Sequence, residues 1–111
     1  MKLQELQHGA VTVLRPEGPL LAEDATPFKQ RVLECLASSM GRCVVDASAV
    51  PFVDSAGLEA LVDANEEVAR RGQALKLCGT TETVRMVLEL TGLSPRFEYF
   101  ADVGAAVRSF L

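Results

Sequence analysis

No tryptophan occurs among the 111 residues, there is one histidine and one tyrosine, and aromatic side chains make up only 5% of the chain. Cysteine is limited to Cys35, Cys43 and Cys78, an odd number without C-x-x-C spacing, each inside an apolar stretch. They read as small buried hydrophobes of a reducing cytoplasm, neither a disulfide framework nor metal ligands. The lone histidine, His8, stands beside a turn glycine, which leaves a zinc site short of ligands, so no metal is expected. Positive charge is scarce: 11 Lys and Arg stand against 15 Asp and Glu, a formal charge of −4, and Arg70-Arg71 is the only adjacent basic pair. Nucleic-acid domains usually show a basic patch or stripe, so no nucleic-acid partner is expected. No apolar segment approaches the roughly 18–20 residues that span a bilayer, because Asp46, Asp54 and Asp63 interrupt the richest stretch. The N-terminal residues lack the apolar centre of a secretory signal. A cytoplasmic protein without membrane insertion is expected. The glycine-rich phosphate loops G-x-G-x-x-G and G-x-x-x-x-G-K-[ST] do not occur, and no cofactor is expected.

The remaining composition, 49% apolar and 23% charged, is that of an ordinary globular chain, and its length fits one domain over residues 1–111. Leu3–Gln7 and Val11–Arg15 read as two short strands around a His8-Gly9-Ala10 turn, with Arg15-Pro16-Glu17-Gly18-Pro19 as a breaker. Thr26-Pro27 predicts a helix start, since proline is tolerated in a first turn. Ala25, Phe28, Val32, Cys35 and Leu36 recur at helical spacing up to Gly41. Cys43-Val44-Val45, ending in Asp46, predicts a buried central strand. From Ser55 to Arg71 an apolar stripe of Leu58, Leu61, Val62, Val68 and Ala69 predicts a long helix closed by Gly72. Ala74–Cys78 predicts a strand. Thr80 or Thr81 caps a helix that carries Val84, Val87 and Leu88 and ends at Gly92. Phe97–Phe100 predicts the last strand, and Asp102 opens a final helix. Strands alternating with helices imply an α/β fold with a mixed, mostly parallel sheet of four to five strands.

One segment stands out, running from Asp46 through Ser48 and Pro51 to Asp54-Ser55-Ala56-Gly57-Leu58. A buried strand leads through a loop into Asp54-Ser55, where the long helix begins. The first N–H groups of a helix have no intrahelical acceptor, and the helix dipole places about half a positive charge there. A serine at that point is either a plain cap beside Asp54 or an exposed hydroxyl open to modification. Phosphorylation would add about −1.5 to −2 charges, and Gly57, without a side chain, would let a partner approach. Asp46 and Ser48 after the strand read as turn-forming residues. A hydrolase needs a base for Ser55, but the segment is not a G-x-S-x-G elbow and His8 lies in a terminal turn, so no catalytic residue is assigned.

The run Asp46-Ala47-Ser48-Ala49-Val50-Pro51-Phe52-Val53-Asp54-Ser55-Ala56-Gly57-Leu58 resembles the signature of STAS domains, the anti-sigma factor antagonists and their relatives. Gly18-Pro19-Leu20, Leu77-Cys78-Gly79 and Thr91-Gly92-Leu93 with Phe97 fit the same layout, so the resemblance spans nearly the whole chain. It implies a STAS-type single domain and a binding switch in place of an enzyme. Ser55 would be phosphorylated by an anti-sigma factor that is also a serine kinase, and a phosphatase would reset it. The unmodified form would bind the anti-sigma factor and free the sigma factor for transcription. Asp54, Ser55, Ala56, Gly57 and Leu58, with Asp46 and Ser48, would form the contact surface. Ala56 stands where the family often has a second serine, and Leu21 where antagonists commonly carry an acid. The resemblance also allows a non-phosphorylated STAS subunit that docks on a transporter ATPase or another signalling complex.

Overall fold

Strand β2, Val11–Glu17, is buried on both faces, and that fixes the architecture. Leu14 points into one apolar cluster, Val11 and Val13 into another, as in a parallel sheet covered on both sides. A computed structural model describes all of residues 1–111. It contains β1 (Lys2–His8), β2, α1 (Ala22–Ser38), β3 (Cys43–Asp46), α2 (Ser55–Ala69), β4 (Lys76–Cys78), α3 (Glu82–Leu90), a 3₁₀ turn at Ser94–Arg96, β5 (Glu98–Phe100) and α4 (Val103–Arg108). The sheet order is β1-β2-β3-β4-β5, with β1 antiparallel to β2 and every later pair parallel. This is the expected α/β class with five strands. Right-handed crossovers between successive neighbours put α1, α2 and α3 on the same face, and the larger cluster of 18 buried residues lies beneath them. The short α4 covers a smaller cluster on the other face, built on Val13, Val44, Cys78 and Ala106. No helix is long and apolar enough to cross a membrane.

Several boundaries differ from the sequence expectation, each for a physical reason. Strand β2 runs through Pro16 to Glu17, past the expected break. β3 pairs only with Thr12, Val13 and Leu14, so Pro16 has no ladder bond to forfeit on that side. Helix α1 starts at Ala22, not at Thr26-Pro27, and Pro27 lies inside it. Its start is set by carboxylates: Asp24 Oδ2 accepts the Leu21 N–H at 3.2 Å and Asp54 Oδ2 accepts the Ala22 N–H at 2.8 Å. Pro27 is exposed, so water reaches the carbonyl it leaves unpaired. Helix α2 ends at Ala69, two residues before Arg71, and Ala69 is exposed. Its inner face is Gly57, Ala60, Leu61, Ala64, Asn65 and Val68, with Leu58 and Val62 only half-buried. Small residues there let α2 lie close to its neighbours. The polar member is satisfied twice: Asn65 Oδ1 accepts the Leu75 N–H at 2.7 Å, and Nδ2 donates to the Arg96 carbonyl at 3.0 Å. Asn65 therefore ties α2 to the stretches before β4 and β5.

Gly57 is the tightest of these contacts. A Cβ at this position would drive into the backbone carbonyl of Leu20, which cannot yield as a flexible side chain would. The room expected for a visiting protein at Gly57 is thus filled from within the chain. Gly57→Ala should destabilise the fold by about 1–3 kcal/mol, the usual range for overpacking, as read by chemical denaturation. Gly104→Ala, whose nearest contact is the far end of Arg108, should cost less.

Candidate functional site

The site lies at the carboxyl ends of β2 and β3, where an irregular stretch from Ala47 to Asp54 carries the chain into α2. That stretch is stapled on both sides. Toward β2, Leu20 N–H donates to the Phe52 carbonyl at 3.1 Å, Asp54 N–H donates to the Leu20 carbonyl at 3.2 Å, and Leu20 and Val53 form an isolated parallel bridge. Toward α3, the Thr81 hydroxyl donates to the Val50 carbonyl at 2.8 Å. Thr81, one of the two expected caps, is the N-cap of α3, but its hydroxyl makes no bond to the helix because it is used on the loop instead.

Asp54 organises the rest. It takes the extended backbone of an N-cap (φ −91°, ψ −177°), and its Oδ1 accepts the Gly57 N–H at 2.8 Å. Its Oδ2 accepts the Ala22 N–H at 2.8 Å, so one carboxylate closes the first turns of both α1 and α2. Each helix end presents unpaired N–H groups and a partial positive charge, and a single anion answers both. Ser55 is the first residue of α2 and is exposed, held by this clamp without being covered by it. Ala56 and Leu58 are half-buried beside it, while Gly57 and Asp54 act from beneath.

Asp46 and Ser48 form a second, separate turn. Asp46 is buried at the end of β3; its Oδ1 accepts the Ser48 N–H at 3.1 Å and its Oδ2 lies 3.4 Å from an Arg15 guanidinium nitrogen. Ser48 is exposed. The two aspartates do not converge on a common point, since each is committed to its own donors, and no group of three or more His, Cys, Asp or Glu is placed to hold a metal ion. His8 pairs with Val11 at the opposite end of the sheet from Ser55, so no serine–histidine pair exists. The three cysteines are buried and free. Burial, together with the charges of Asp46 and Asp102, pushes the Cys78 thiol up to about 12, and a shared hydrogen bond with Cys35 and burial push Cys43 up as well. The same hydrogen bond shifts the buried Cys35 thiol down, while Cys43 and Cys78 are held protonated as packing groups.

Two contributors escaped the sequence reading: the backbone of Leu20, which buttresses both the loop and Gly57, and the double use of Asp54. Neither has a local signal, because both contacts join segments more than 30 residues apart. Replacing Asp54 should separate the two caps. Asp54→Asn keeps one acceptor oxygen and should lose about 1 kcal/mol, whereas Asp54→Ala loses both and should cost about 2–3 kcal/mol. Thermal unfolding should show the graded drop.

The family model of the STAS domain matches residues 2–106. The anti-sigma-F factor antagonist RsfB of Mycobacterium tuberculosis is 28% identical over 102 residues, covering 90% of this chain and 81% of the relative. A Thermotoga maritima structure described as that of an anti-sigma factor antagonist candidate superposes with a TM-score of 0.85 at 24% identity, over 96% of this chain and 92% of that one. The phosphorylated form of the Bacillus cell-fate determinant SpoIIAA superposes with a TM-score of 0.73 at 17% identity, over 97% and 99% of the two chains. The structural likenesses establish the fold. With the family model spanning nearly every residue, the chain belongs to the STAS domain family.

Proposed function

We propose that the chain is an anti-sigma-factor-antagonist-like switch. Unmodified, it binds an anti-sigma factor that is also a serine kinase, and so releases a sigma factor for transcription; phosphorylated on Ser55, it lets go. The observation that carries this reading is the exposure of Ser55 on a rigid helix entrance fixed by Asp54. The similarity to anti-sigma factor antagonists supports the class of partner. A chain of this kind works by occupying another protein, so no step of turnover is required.

The electrostatics favour a sharp response. Residues 47–62, which carry the site, contain no Lys or Arg. The nearest lysine of the adjoining α1–α2 groove, Lys29, is 3.4 Å from Asp63 and already paired. A phosphate on Ser55 would therefore stand beside the Asp54 carboxylate with no cation of its own element to neutralise it. The helix dipole tolerates the added charge, but a close-packed partner would have to desolvate it. A penalty of about 4 kcal/mol corresponds to about a thousandfold in affinity. Ser48, Ala56 and Leu58 extend the contact surface around Ser55, with Asp46, Asp54 and Gly57 supporting it. A phosphatase would return the protein to the binding form.

With the kinase and ATP, mass spectrometry should find one phosphate, on Ser55, and none on Ser55→Ala. Ser55→Ala should bind the anti-sigma factor within a few-fold of wild type, and Ser55→Asp should bind at least a hundredfold more weakly. Equal binding by all three forms would contradict the switch and favour a fixed docking subunit.

A further inference from the structure

Phe52 is the one phenylalanine of five that is left largely in water, 46% exposed, whereas Phe28 and Phe97 are buried and Phe100 and Phe110 are partly covered. Its backbone is held. The Phe52 carbonyl accepts the Leu20 N–H at 3.1 Å, and the next residue, Val53, is bridged to Leu20. An exposed ring on a pinned backbone loses little freedom when it is covered, which is the usual character of an interface anchor.

We infer that Phe52 is the apolar anchor by which the anti-sigma factor kinase seats on this domain, its ring entering an apolar pocket of that partner. This rests on the assignment of Ser55 as the kinase's acceptor. Three residues of fully extended chain reach no more than about 11 Å, so the Cα atoms of Phe52 and Ser55 are within that distance. A standard interface takes about 800 Å² from each partner, a disc of roughly 16 Å radius. Both residues are exposed, so the footprint of a kinase centred on Ser55 reaches Phe52. Its flanks make the occupant specific in chemistry: Pro51 is exposed, Val53 is half-buried, and residues 47–53 carry no charge at all, so the surface facing Phe52 needs to be apolar to match. The exposed acid Glu59 lies one helical turn beyond Ser55 along α2. Anchor and charge sensor are thus adjacent and distinct: the ring supplies affinity in both states, and the Ser55 charge decides whether it can be used.

The test is steady-state phosphorylation and equilibrium binding with the kinase that modifies the wild-type chain. Phe52→Ala should raise the KM for the domain and weaken binding at least tenfold, leave kcat unchanged, and leave the unfolding midpoint within about 2 °C, because the side chain contributes little to the core. Phe52→Leu should recover most of the affinity and Phe52→Ser none. Wild-type KM and binding in Phe52→Ala would overturn the anchor while leaving Ser55 as acceptor. If the kinase instead modifies wild type at a residue other than Ser55, the reading beneath the proposal fails, and the anchor fails with it.

Discussion

A single carboxylate at the junction of two helices carries the organisation of this domain's functional end. Asp54 reaches forward to the Gly57 N–H and across to the Ala22 N–H, each at 2.8 Å. The starts of the two helices are separated in the chain by α1 itself and by β3, so the clamp fixes their relative position as well as their start. The Leu20 carbonyl approaches from the other side, and only glycine at position 57 leaves it room. Ser55 sits between these constraints. It is presented by contacts made by its neighbours, which leaves its own hydroxyl at the surface.

For the proposed switch, this arrangement separates positioning from signalling. If the acceptor hydroxyl also served as the helix cap, phosphorylating it would break the cap and disturb the fold along with the interface. With Asp54 as cap, a phosphate changes charge at the surface and leaves the backbone bonds in place. The neighbouring loop is similarly independent of chemistry, since Asp46 holds Ser48 and pairs with Arg15 while Thr81 secures Val50. A rigid platform suits recognition by a partner, because less freedom is lost on binding.

Much of this could be read from the residues because the signals were local and periodic. The hairpin around Gly9, the buried Cys43-Val44-Val45 strand, the α2 entrance at Asp54-Ser55 and the Asp102 cap all depend on neighbours within a few positions, and all are present. The expectations that shifted depend on distant contacts. Helix α1 begins before Pro27 because Asp54, from another loop, accepts the Ala22 amide and adds to the local cap that Asp24 gives Leu21. The inner face of α2 keeps the expected Leu61 and Val68, but Gly57, Ala60, Ala64 and Asn65 replace Leu58, Val62 and Ala69 there, because close approach outweighs side-chain bulk. Gly57 serves an internal carbonyl instead of opening a surface, and no pattern of hydrophobicity announces that.

The central claim is that Asp54 links the two helix entrances, closing α2 and sharing α1 with Asp24, and thereby positions the serine proposed as acceptor. Amide hydrogen exchange resolved by residue, compared between wild type and Asp54→Ala, tests it most directly. The account predicts that the Ala22 and Gly57 amides lose protection together, while the Ser48 amide, held by Asp46, keeps its own. Unchanged protection at Ala22, or loss at Gly57 alone, would contradict it.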